Sequence, residues 1–141
     1  MTDSPVLLRV TRSVNMGDVD AARIIYYVSP LRWHEALFTE WLRVVGHPLS
    51  DILASGAATP CVEATIKYMA PLLLDDHIEL TLYVDHIGNS SFVLRSSVDK
   101  PSRVNCVEVR AVYVWAEFGQ SGPTGAKQLP DWLRGSFQSS N

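Results

Sequence analysis

Cysteine is scarce in this chain of 141 residues, with two in all. Cys61 and Cys106 both fall inside strand-like runs, and with no secretory leader ahead of them they read as reduced, buried thiols rather than a disulfide framework. A nucleophilic cysteine would need a histidine or a helix start beside it to lower its pKa, and the sequence places neither near these two. The four histidines, His34, His47, His77 and His86, lack the short paired spacings of a zinc site, so no metal is expected. No cluster of Lys and Arg with interleaved aromatics occurs, which removes the electrostatic footprint of nucleic-acid binding. No apolar run approaches the ~20 residues of a membrane span. Met1-Thr2-Asp3-Ser4-Pro5 sets no basic residues ahead of its apolar run, so no signal peptide is expected and the cytoplasm is the expected location.

What is present fits one globular domain. The hydrophobic share is 47% and the net charge −3, both ordinary for a chain that buries a real core. The domain is expected over residues 1–135, with a frayed tail from Ser136 to Asn141. Gly119 to Gln128, rich in Gly, Ser, Pro, Thr and Ala, reads as a flexible connector.

Ser29 is a good N-cap and Pro30 suits the first helical position, where its missing N–H costs nothing. Leu31, His34, Phe38, Trp41, Leu42 and Val45 follow at three- and four-residue spacing, the mark of an amphipathic helix. Gly46 and Pro48 end it. Roughly sixteen residues at ~1.5 Å each give about 24 Å, enough to cross a whole sheet. A short second helix is expected from Leu49 to Ser55.

The period is two where strands are expected. Val6, Leu8 and Val10 share one face of a first strand. Val62, Ala64, Ile66 and Tyr68 alternate with Cys61, Glu63, Thr65 and Lys67. Ile78, Leu80, Leu82 and Val84 form the next apolar face, then Phe92, Leu94, Ser96 and Val98, then Val107, Val109, Ala111, Tyr113 and Trp115. Strands with one apolar face make an antiparallel sheet covered on one side, and only one long helix is available to cover it. The expected class is therefore α+β: a curved antiparallel sheet of about five strands wrapped around one long helix. The last strand also carries Val112 and Val114 on its nominally polar face. Edge strands that apolar are paired or covered, here by a second copy of the chain or by Leu129 to Phe137.

The segment most suggestive of chemistry is Gly17-Asp18-Val19-Asp20-Ala21-Ala22-Arg23-Ile24-Ile25-Tyr26-Tyr27. In extended geometry Asp18 and Asp20 point the same way. Acids are rarely buried without a partner, so two readings stand: a half-buried pocket acid, or a polar turn in which Asp20 caps a short helix.

Asp18-x-Asp20-Ala21-x-x-Ile24-x-Tyr26-Tyr27, followed by Arg32-Trp33-x-Glu35, resembles the signature of the 4-hydroxybenzoyl-CoA thioesterase family of hot-dog-fold proteins. The resemblance continues through Thr39-Glu40-Trp41-Leu42-Arg43, Pro60 to Asp76, Ser91-Phe92-Val93-Leu94-Arg95 and Leu129-Pro130-Asp131-Trp132-Leu133-Arg134. It implies Asp20 as the catalytic carboxylate, Tyr27 as the donor of a backbone N–H to the thioester carbonyl, and dimers or tetramers with a continuous sheet. Asp18 matches the first acid of the motif. Thioester hydrolysis needs a nucleophile or base at the acyl carbon and donors for the developing oxyanion. A helix start supplies such donors, and because Pro30 cannot donate they must lie in the Tyr26 to Ser29 turn.

Two departures from the family pattern stand out. Arg23 replaces a customary Gly, whose presence suggests positive φ or a close backbone approach; the Arg could meet the pocket or the CoA phosphates. The basic cluster expected before Ser91-Phe92 is absent from His86-Ile87-Gly88-Asn89-Ser90, leaving Lys100, Arg103, Arg95 and Lys67 as candidate phosphate cations. Glu35 is a reserve catalytic acid and Trp33 a candidate substrate contact. The expected function is acyl-CoA hydrolysis with a hydroxybenzoyl-type acyl group, CoA being substrate and no cofactor being required. The alternatives are a short-chain aliphatic acyl group, as in the Tol-Pal-linked branch, and a non-catalytic acyl-CoA-binding module. A hydratase would need a His paired with an acid, and the Asp18 to Tyr27 segment has no His.

Overall fold

Ser29–Val44 forms the long helix α1, 16 residues with Pro30 in its first turn. Val28, not Ser29, is the N-cap residue, because the Ser29 hydroxyl is spent elsewhere, donating to the Asp18 carbonyl at 2.7 Å. At the other end Gly46 adopts φ 88°. The Gly46 N–H meets the Arg43 carbonyl and the His47 N–H the Leu42 carbonyl, the paired bonds of a Schellman stop, which favours glycine at that position. A short helix α2, Leu49–Ala54, follows.

The computed structural model describes residues 4–139. Its main sheet is antiparallel throughout, in the order β1-β4-β5-β6-β3. The strands are β1 Val6–Ser13, β3 Cys61–Tyr68, β4 His77–Ile87, β5 Ser91–Lys100 and β6 Arg103–Val114. The alternating residues of β4, β5 and β6 supply the inner face. Helix α1 lays Trp33, His34, Leu37, Phe38, Trp41 and Leu42 onto it, all buried. Fully burying a side chain of this size contributes about 1.5–3 kcal/mol, so this one stripe anchors the domain. Among the described residues no helix is long and apolar enough to cross a membrane.

Four expectations are corrected. Strand β6 is interior, flanked by β5 and β3, which accounts for Val112 and Val114: Val112 pairs with Val93 and Glu63. The edges are β1 and β3, and β3 lies open, with Val62 60% and Tyr68 48% exposed. Cys61 is consequently exposed, while Cys106 is buried as expected. The segment read as a flexible connector is a hairpin: β7 Ala116–Gly119 and β8 Gly122–Ala126 join β2 Ala57–Ala58 in a second, three-stranded sheet. The tail expected to fray at Ser136 instead continues helix α3, Asp131–Gln138, whose Phe137 is fully buried and stacks on Trp41 at 5.0 Å. Asn141 and Ser140 lie outside the described residues.

Candidate active site

The loop from β1 to α1 is held by one acid and opened by the other. Asp18 closes a single 3-10 turn, Met16–Asp18, which breaks the extended alternation that would have aimed Asp18 and Asp20 alike. Its carboxylate accepts from the Asn15 N–H at 2.8 Å, from the Arg12 guanidinium and from the Trp33 indole N–H at 3.1 Å. Arg12 also lies over the Trp33 ring, 5.2 Å from its centroid. The Asp18 carbonyl takes the Tyr26 N–H and the Ser29 hydroxyl. Trp33, a candidate substrate contact, instead donates to Asp18, the first acid of the motif, and the two brace the loop against α1.

Asp20 is exposed. One carboxylate oxygen accepts the Ala22 N–H at 2.8 Å, an Asx turn, and its carbonyl accepts the Arg23 N–H at 3.0 Å. The chain reverses at once: Asp20 N–H bonds the Ile24 carbonyl, and Val19 bridges Ile25. Arg23 takes φ 67°, so the left-handed backbone that a glycine would serve is kept and an arginine bears its cost of about 1–2 kcal/mol. The turn docks onto the segment before β4, with Ile25 N–H to the Leu72 carbonyl and Ile24 bridging Leu73. Asp20, Ile24, Tyr27, Tyr68, Met69 and Leu72 line a cavity of about 400 Å³. That lies within the range of small-molecule sites.

Tyr27 is 65% exposed at the cavity mouth, and its carbonyl accepts the Tyr68 hydroxyl. The Tyr26 carbonyl accepts the Ser29 N–H at 2.8 Å. Among the described residues the Tyr27 N–H has no protein acceptor, the condition for an oxyanion donor.

None of the other candidates lines this cavity. Glu35 is exposed on α1, on the side of Tyr113; burial first, then Cys61 and Glu35, hold the Tyr113 phenol above its ordinary pKa. Lys100 donates to the Pro71 carbonyl at 3.0 Å and sits 3.7 Å from Asp76. It borders a different cleft of about 530 Å³ that also takes in Arg12, His77, Glu79 and Asp99. Arg103 is exposed and pairs with Lys100 across the β5–β6 turn. Arg95 is bound to Asp85 at 2.9 Å and lies over the Tyr83 ring. Tyr68 and Met69 line the cavity, a role that the strand pattern alone does not suggest. Tyr68 reads simply as the apolar face of a strand, and its polar tip at a strand end was the signal available.

A sheet wrapped on one long helix, with an acid-bearing loop at the helix start, defines a hot-dog protein. A model of the thioesterase-like superfamily matches residues 14–137, and the chain belongs to that superfamily. The match does not define the 4-hydroxybenzoyl branch within it. A 1,4-dihydroxy-2-naphthoyl-CoA hydrolase of Prochlorococcus marinus (strain NATL1A) is 34% identical over 95 residues, 62% of this chain and 63% of that protein. With the same enzyme of strain NATL2A the share is 65%, so the chain spans slightly under two thirds of these two relatives. One from Thermosynechococcus vestitus is 26% identical over 87% of this chain and 86% of its own length. Among solved structures, a gentisyl-coenzyme A thioesterase superposes with a TM-score of 0.79 at 28% identity, covering 92% of this chain and 99% of the other.

Proposed function

We propose that the protein hydrolyses a CoA thioester of an aromatic acyl group to the free acid and CoA. One observation carries the reading: Asp20, with an exposed carboxylate, and Tyr27, whose backbone N–H has no acceptor among the described residues, line the same cavity. The Ala22 N–H holds one oxygen of Asp20 and so orients the carboxylate. The other oxygen attacks the acyl carbon, or takes a proton from the water that does. The carbonyl oxygen gains charge and receives the Tyr27 N–H at the positive end of α1. Collapse breaks the C–S bond, the electron pair leaves on sulfur, and CoA departs as thiolate; where Asp20 attacked directly, water then cleaves the mixed anhydride. Tyr27, Tyr68 and Met69 favour a flat ring in the cavity, and the relatives and neighbour named for dihydroxynaphthoyl and gentisyl thioesters point the same way.

The open strand β3 and the exposed Ile24, Tyr27, Tyr68 and Leu73 beside it support a homodimer or homotetramer that covers them. Arg23, at the turn, is the cation best situated for the CoA phosphates, ahead of Lys100 and Arg103. The test is thiol release from a panel of aromatic and short aliphatic acyl-CoAs. Turnover of aromatic esters that is lost in Asp20→Asn supports the reading. Binding without turnover makes the chain a non-catalytic module, and preference for short aliphatic esters overturns the acyl assignment.

A further inference from the structure

We propose that Tyr68 is a positioning residue: its hydroxyl fixes the peptide turn from which the Tyr27 N–H reaches the substrate oxygen. The inference rests on the hydrolysis argued above. Tyr68 ends β3, 41 positions along the chain from Tyr27, and so reaches the helix-start turn from a separate element. It donates to the Tyr27 carbonyl, while the Ser29 N–H holds the Tyr26 carbonyl. The peptides are trans, and a planar trans peptide sets its N–H opposite its own carbonyl. The Ser29 anchor therefore turns the Tyr27 N–H away from the helix. The Tyr68 anchor fixes the following plane, so that Tyr27 is held on both sides of its Cα.

The two anchors differ in origin. The first is a backbone bond that almost any sequence at Ser29 would supply. The second depends on one phenol, which crosses from an edge strand with nearly half of its own surface exposed. A preorganised donor needs no rearrangement as charge develops, so releasing one anchor should cost rate and leave ground-state binding intact. The phenol keeps its proton well into alkaline pH, because burial and the neighbouring Tyr27 both raise its pKa.

Tyr68→Phe removes the hydroxyl and keeps the ring. On an acyl-CoA that the wild type turns over, kcat should fall about tenfold, less than the 10²–10³ for deleting an oxyanion donor outright, with KM within about twofold. Amide exchange at Ser29, whose N–H holds the Tyr26 carbonyl, should accelerate when read by NMR, with the melting temperature and oligomeric state unchanged. Difluorotyrosine at position 68, a more acidic phenol, should restore kcat below its ionisation and lose it above, giving a basic limb absent from the wild type. Packing alone would not produce that limb. An active wild type with unchanged kcat in Tyr68→Phe, or a loss confined to KM, overturns the inference alone. A wild type inert toward every acyl-CoA overturns the hydrolase reading and the role of Tyr68 with it.

Discussion

Asp18 and Asp20 are two residues apart and live in opposite surroundings. Asp18 is walled in by Arg12, Asn15 and Trp33, with its carbonyl held by Tyr26 and Ser29. Asp20 lines the cavity, and among the described residues its carboxylate accepts one N–H, that of Ala22. A carboxylate with both oxygens engaged by three donors is structural, because attack would first have to break those bonds. The acid left half-satisfied at a cavity is the one available for chemistry. The contrast is made by one 3-10 turn, which rotates Asp18 inward while the next reversal leaves Asp20 outside.

The sharpest way to break that contrast is Asp20→Asn. The amide keeps an oxygen for the Ala22 N–H, so the turn survives while the proposed nucleophile or base is lost. Turnover should drop by about three decades, roughly 4 kcal/mol of transition-state stabilisation, with the melting temperature unchanged. Turnover near normal would send the search to Glu35.

Acid should destabilise the protein through its core. His34 is fully buried, bonds Ser96 at 2.6 Å through Nδ1, and among the described residues its Nε2 has no partner. Burial lowers its pKa to about 4. The unfolded chain, with His near 6.5, binds the proton more readily. The stability that His34 leaves intact above pH 6.5 is therefore lost as pH falls from 6.5 toward 4, by about 3 kcal/mol in all. Urea titrations across that range should show the slope, and His34→Gln should flatten it.

Asp18→Asn tests the bracing side. It keeps the shape, removes the negative charge from all three bonds, turns an NH2 toward one of the donors and leaves Arg12 without its ion pair. The expected loss is about 2 kcal/mol of stability, seen in the denaturation midpoint, with kcat at 25 °C reduced far less than in Asp20→Asn. The reverse order of effects would exchange the roles of the two acids.

Much of this architecture is legible from residue spacing. Ser29-Pro30 and the apolar stripe mark α1, Gly46 marks its stop, and the period-two runs fall within β3 to β6, matching β3 closely while β6 begins four residues before the expected Val107. Which strand forms the edge is not legible, because pairing is decided by partners distant in sequence. Val112 and Val114 therefore suggest an exposed edge when β3 is the open one. The β7–β8 hairpin hides in small residues without alternation. In the site, Asp20 and Tyr27 carry a motif, whereas the inward turn of Asp18 depends on Arg12 and Trp33, contributed by two other elements.

The smallest effect expected is also the one that separates backbone from side chain. Arg23 bears a left-handed φ of 67°, costing about 1–2 kcal/mol for an L-residue, against the roughly 0.5–1 kcal/mol of extra chain entropy that a glycine loses on folding. Arg23→Gly should thus stabilise the protein by about 0.5 kcal/mol, a rise of a degree or two in melting temperature. Selection for stability alone would favour the glycine, so the guanidinium needs another reason to be there. If that reason is the nucleotide phosphates, Arg23→Gly should raise KM for an acyl-CoA about threefold and leave the matching acyl-pantetheine unchanged. The difference should shrink as salt screens an exposed charge. Trimming CoA to pantetheine in the wild type should cost about one decade in kcat/KM, roughly 1.4 kcal/mol, because Arg23 is the one cation on the turn that carries Asp20. A loss of three decades would mean a stronger phosphate site, with Lys100 and Arg103 the next to replace. Equal KM changes for both carriers would place Arg23 at the acyl or pantetheine end of the cavity instead.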